Sequence, residues 1–136
     1  MASLELARQW VLTQARECAG VRTAPNMRVQ DQANAMPAAI TYVSNAVARR
    51  ESDTLKLTFW TLTTHIYVAR TDVGRAVETV QPILEEFIGR LMADVTLGDN
   101  VSHIEGDVRG SVGAMDYGGI SVWGCQVVFD VKIVGS

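Results

Sequence analysis

The stretch MDYGGISVWGCQVVFDVKI, residues 115–133, decides how the rest of the chain is read. Gly118-Gly119 is a two-residue turn between alternating segments, the strongest short-range signal for a β-hairpin, because glycine reaches the positive φ angles such turns need. That turn sets Tyr117 opposite Ile120 and Met115 opposite Val122. On the other face Ala114 meets Trp123, Val112 meets Cys125, Gly110 meets Val127 and Val108 meets Phe129. Trp123, Cys125, Val127, Phe129, Val131 and Ile133 then line one side without a break, while Gln126, Asp130 and Lys132 line the other. An apolar face of this length must be covered.

The cover is found upstream. Val73, Ala76, Val77, Val80, Leu84, Phe87, Ile88 and Leu91 recur at helical spacing, predicting a helix from a cap at Asp72 to about Asp94. Pro82 inside it removes a backbone donor and predicts a kink. Residues 96–100, Thr-Leu-Gly-Asp-Asn, end it with a turn, and 101–104 predict a short strand. A first helix spans Ser3 to Cys18, with Leu4, Ala7, Val11, Ala15 and Cys18 inward and Trp10 beside them. Arg8, Gln9, Gln14 and Arg16 are expected to face water.

Between the helices lie β segments. Ala38–Val43 reads as a short strand after Pro37, and Leu55–Arg70 as a long one rich in Thr and aromatic residues. Leu55, Leu57 and Phe59 share one parity, whereas Trp60, Leu62, Ile66 and Val68 share the other. A period-2 pattern that changes face predicts a β-bulge near Phe59-Trp60. The polar stretches 20–37 and 44–54 read as loops, the second holding Arg49-Arg50, and both are expected to order only against a neighbour. The sum is one α+β domain over 1–136: a mostly antiparallel sheet of about four to five strands, two helices on one face, and a C-terminal β-hairpin.

Composition narrows the function. With 136 residues, 48% apolar and 20% charged, the chain has a globular make-up, and its net charge of −3 excludes a general basic nucleic-acid footprint. The charge is uneven. Residues 1–70 hold eight Lys+Arg and five Asp+Glu, a balance of +3, while 71–136 hold four against ten, −6. No apolar run reaches membrane-spanning length and the start lacks a signal-peptide pattern. Cys18 and Cys125 are too few for a disulfide scaffold and read as buried hydrophobes.

Catalytic signals are weak. His65 and His103 have no cysteine or carboxylate at metal-ligand spacing. Glu85-Glu86 point about 100° apart on a helix and cannot share a proton. The glycines at 110, 113, 118 and 119 lack the strand–loop–helix order and Lys of a phosphate loop, and no nucleophile elbow occurs. No catalytic, cofactor or metal residue is therefore assigned, and an enzyme is not expected. Met115, Tyr117, Ile120 and Val122 form a different signal: on the side away from the helices they make an apolar cluster that a two-layer domain cannot bury, which marks a contact surface.

Four stretches in order carry a resemblance: MPAAITYV at 36–43, LKLTFWTLTTHIYVAR at 55–70, VETVQPILEEFIGRLMADVTLGDNV at 77–101, and the hairpin at 115–133. Together they resemble the tail terminator (tail-completion, minor-tail-protein-U-like) family of long-tailed bacteriophages over most of residues 4–134. The resemblance implies a structural protein of the virion, assembled in the host cytoplasm, whose homo-hexameric ring caps the head-proximal end of the tail tube. Its partners would be the tail tube protein and the head-tail connector or head-closure protein, with genomic DNA passing the lumen without specific binding. The ring interface is expected at Met115, Tyr117, Ile120 and Val122, with Arg49 and Arg50. The alternatives are another neck or tube ring protein, and a small enzyme or ligand-binding α+β domain.

Overall fold

The computed structural model describes residues 4–18, 38–50, 56–69, 73–117 and 120–135. Helix α1 (Leu4–Glu17) precedes strands β1 (Ala38–Arg50) and β2 (Lys56–Ala69). Helix α2 (Val73–Ala93) follows, then β3 (His103–Tyr117) and β4 (Ile120–Gly135). The four strands form one antiparallel sheet in the order β1-β2-β4-β3, so β2 and β4 are central and β1 and β3 are edges. The fold is α+β, with a sheet of four strands. The expected loop at 20–37, the caps at Ser3 and Asp72 and the Gly118-Gly119 turn lie outside the described residues.

Both helices pack on one face. Ala7, Val11 and Ala15 of α1 and Val80, Ile83, Phe87 and Leu91 of α2 meet Ala39, Leu62, Ile66, Cys125, Val127, Phe129 and Val131 of the sheet. The β3–β4 register is the one expected from the turn: Tyr117 opposite Ile120, Met115 opposite Val122, Ala114 opposite Trp123, Val112 opposite Cys125. Gly110 lies under α2, where a Cβ would stand 3.1 Å from Leu84. The pairing then departs from expectation. Glu105 meets Asp130 and Arg109 meets Val128, so residues 106–108 bulge out opposite Phe129, with Gly106 at φ 74°.

Several expectations are corrected. β1 does not stop at Val43 but runs to Arg50, so residues 44–50 are strand and Arg49 and Arg50 sit in it. The terminal hairpin strand β3 begins at His103 and absorbs the separate short strand expected at 101–104. No bulge occurs near Phe59-Trp60: β2 pairs with β4 without a break from Lys56 to Tyr67. The irregularities lie at Ser44 in β1 and at Val68 in β2. The parity change in β2 has another cause. The helices cover only part of the sheet's length, so Trp60 and Leu62 serve the covered face while Leu57 and Phe59 keep to the other.

Arg8 does not face water; it is 1% exposed. Its guanidinium pairs with Glu5 one turn earlier, and Nη1 donates to the Thr41 carbonyl of β1 at 3.3 Å. A charge this deep persists only because those acceptors replace water. That bond with Arg8 also holds the Glu5 carboxyl below its usual range.

The turn after α2 shows how a tight stop is built. Asp94 accepts from Thr96 Oγ1 at 2.6 Å, Thr96 N at 3.2 Å and Gly98 N at 3.1 Å, and these bonds, the hydroxyl first, lower its pKa. Leu97, Gly98 and Asp99 all take positive φ, 51°, 71° and 65°. Leucine is strained there, but its side chain is wholly buried, which offsets the strain. Glycine is required at 98 on two grounds, its φ and the Trp10 ring, which a Cβ would meet at 2.8 Å.

Candidate functional site

The two groups of residues expected at the interface lie at opposite ends of the sheet. Met115 and Val122 lie one rung beyond the Ala69–Trp123–Ala114 level, past the start of β1 at Ala38, whereas Arg49 and Arg50 stand at the end of β1, level with Leu57 and Lys56. Ten residues separate Ile40 from Arg50, roughly 33 Å along a strand. No single contact surface joins both groups through one flat patch.

At the first end, Val122 packs with Ile40 and Tyr67, and Met115 rests against them, forming a small second core on the face away from the helices. This corrects the expected exposure of the cluster: Val122 is 0% exposed. Its separation from the main core does hold. The side chains of Tyr117 and Ile120 lie outside the described residues. Gly124, opposite Gly113, lets this layer close, since a Cβ would stand 2.0 Å from the Ile66 carbonyl oxygen and 2.6 Å from Met115 Cε. On the helix side the same hairpin is barer than expected. Val112 is 45% exposed, Ala114 is exposed and Trp123 is half-buried, because α2 does not extend over the edge strand there.

At the second end the sheet is uncovered on both sides. Residues 44–50 are all exposed. On the face away from the helices Val47 opposes Phe59, Arg49 opposes Leu57, and Leu57 opposes Val134 across β2. Val47 and Val134 are 51% and 46% exposed, and Leu57 and Phe59 are half-buried. The Arg49 guanidinium lies 5.6 Å from the Phe59 ring centroid, a cation–π distance. On the helix side a shallow cavity of about 290 Å³ is lined by Ala48, Arg49, Arg50, Lys56 and Thr58. Val47, Leu57, Phe59 and Val134 were not singled out from sequence. The odd parity of Leu57 and Phe59 was the available signal, and it was assigned to a bulge.

Across the sheet and several rungs back from Arg49, level with Leu62 and Val43, β3 presents its bulge. Glu105, Gly106, Asp107, Arg109, Val128, Phe129 and Asp130 enclose a notch of about 270 Å³. His103 Nε2 lies 2.7 Å from Glu105, and Asp130 accepts from Thr61 Oγ1 at 2.5 Å. Between these ends, the uncovered face is polar. His65 stands between two tyrosines, Nε2 3.3 Å from Tyr42 Oη and Nδ1 3.1 Å from Tyr67 Oη, with both rings edge-on. Burial lowers the His65 pKa.

Both cysteines are buried free thiols. Burial raises Cys18 to about 11, and burial together with the neighbouring Cys18 raises Cys125 to about 12, so neither is a nucleophile near neutral pH. Among the described residues no group of three His, Cys, Asp or Glu side chains could hold a metal ion, and no helix is long and apolar enough to cross a membrane. The arrangement supplies edges, an apolar strip and opposite charges: a geometry for contact. No family model matches the chain, and no curated protein matches it.

Proposed function

We propose that the chain is a ring-forming structural protein of a long-tailed bacteriophage, a tail terminator that caps the tail tube at its head-proximal end. What carries the reading is the uncovered end of the sheet, where β1 and β2 run beyond the helix layer and are accessible on both faces. A domain that functioned alone would gain nothing from an extension of β1, β2 and the end of β4 with apolar residues in water, whereas a subunit of an assembly buries it against a neighbour. The order helix, hairpin, helix, hairpin, in which the resembling stretches fall, supports the same reading.

The mechanism is geometric. One ring face takes the place of a further tube layer on the last one, the opposite face does not accept a tube subunit, and polymerisation stops. That second face then receives the head-side connector. DNA slides through the hole, and a net charge of −3 suits a lumen that does not hold it. Negative-stain imaging and native mass spectrometry of the protein, alone and with tail tubes, test the proposal. Closed six-membered rings on tube ends are expected. Extended filaments of the protein alone would identify a tube subunit instead, and a stable dimer that ignores tubes would end the reading.

A further inference from the structure

The two edges of the sheet carry opposite charge. Strand β1 holds Arg49 and Arg50 and no acidic residue, while β3 holds Glu105, Asp107 and Asp116 against Arg109 alone. Glu51 and Asp53 follow β1 in sequence and lie outside the described residues; the positive charge described is that of the strand. Arg49 and Arg50 stand level with Leu57 and Lys56, and through β2 and β4 with Val134 and Gly135. Glu105 lies a few rungs along, opposite Asp130. Three interstrand spacings, roughly 14 Å, separate the edges.

We propose that the β1 edge of one copy docks on the β3 edge of a second copy of this chain, with Arg49 and Arg50 against Glu105 and Asp107. The proposal deepens the ring reading and rests on it. All four side chains are exposed. Edges of thirteen and fifteen residues, with no further strand beyond them among the described residues, invite strand-to-strand association unless something specifies the partner. Charge does so here. Two β1 edges repel, two β3 edges repel, and only β1 with β3 attracts. A contact between different patches on identical subunits is head-to-tail, and repetition about one axis closes a ring. The bulge at 106–108 also matters. It interrupts the β3–β4 ladder at that level, and because a bulge bends and twists its strand, an approaching edge meets carboxylates there rather than a regular row of backbone groups. The notch between Glu105, Asp107 and Asp130 is open to a guanidinium, which pairs with carboxylates in a two-pronged geometry.

Charge reversal provides the test, read by native mass spectrometry and sedimentation at matched concentration, with circular dichroism to verify folding. The pair Arg49→Glu with Arg50→Glu, and the pair Glu105→Lys with Asp107→Lys, should each reduce self-association at least tenfold. An equimolar mixture of the two variants should restore it, because in a ring where the variants alternate every contact sets opposite charges together, and high salt should weaken the unaltered assembly. Where a reversal unfolds, Arg49→Gln with Arg50→Gln and Glu105→Gln with Asp107→Gln replace it, each still expected to weaken assembly. Assembly indifferent to both variant pairs, or a mixture of folded variants that stays apart, overturns the edge docking and leaves the ring reading in place. Edge-dependent association with no affinity for tail tubes overturns the tail reading and leaves the docking. A protein that never self-associates, alone or on tubes, overturns both.

Discussion

The two ends of one sheet are built from the same strands and differ in nearly every other respect. Where β2 and β4 pair through Ile66–Cys125 and Tyr67–Gly124, both faces are closed, one by the helices and one by Ile40, Val122 and Met115. Where they pair through Leu57–Val134 and Phe59–Lys132, neither face is covered and valines stand half in water. Both ends are regular strand. Burial is what differs, so stability belongs to the first end, and the contact proposed above belongs to the second.

A matched pair of charges gives the sharpest way to break that comparison. Val122→Asp places a carboxylate in a sealed layer and should destabilise by at least about 3 kcal/mol, whereas Val47→Asp at the open end should stay within about 0.5 kcal/mol. Urea denaturation of both variants decides it. Equal midpoints would show that the second core is dispensable. The buried position also means that Val122→Asp cannot serve as a clean assembly variant; the open-end residues can.

A smaller effect is expected two rungs away, at the facing glycines. Gly124→Ala forces a Cβ against the Ile66 carbonyl and should cost about 1–3 kcal/mol, while Gly113→Ala meets nothing within 4 Å and should be close to neutral. Thermal melts of the two variants compare them directly. If Gly124→Ala melts with the unaltered protein, the close approach of β2 and Met115 is looser than described.

The smallest effect separates the middle of the uncovered face from both ends. The folded-state pKa of His65 is lowered by burial, so the unfolded chain binds more protons than the folded one below the ordinary value of about 6.5. Its contribution is complete above that pH and is lost as pH falls towards the lowered value. Glu5 and Asp94, also lowered, act only at more acidic pH, below their ordinary 4.5 and 3.8. His65→Gln should therefore flatten the stability profile between pH 7 and 5, as read by urea midpoints across that range; an unchanged slope would place the titration elsewhere.

Much was legible because period and turn chemistry are local. The Gly-Gly turn fixed the β3–β4 pairing as far as Arg109–Val128, and the apolar stripes placed both helices to within a residue or two. Arg8 was misplaced because its apolar neighbours on α1 leave its side unmarked, and only the Thr41 carbonyl on a distant strand explains its burial. The polarity of residues 44–50 predicts a loop, yet pairing with β2 supplies the backbone partners that make them strand.

The candidate surface divides the same way. Sequence alone determined the fold class, the hairpin register, the buried face of β4 and the uneven charge of the two halves, since each follows from spacing along the chain. Tertiary structure decided where that charge goes. The order β1-β2-β4-β3 puts the basic strand and the acidic strand on opposite edges, and the length of the helix layer decides which apolar residues are sealed and which meet water. Neither strand order nor helix reach is written in a local pattern, because both depend on contacts between residues far apart in sequence.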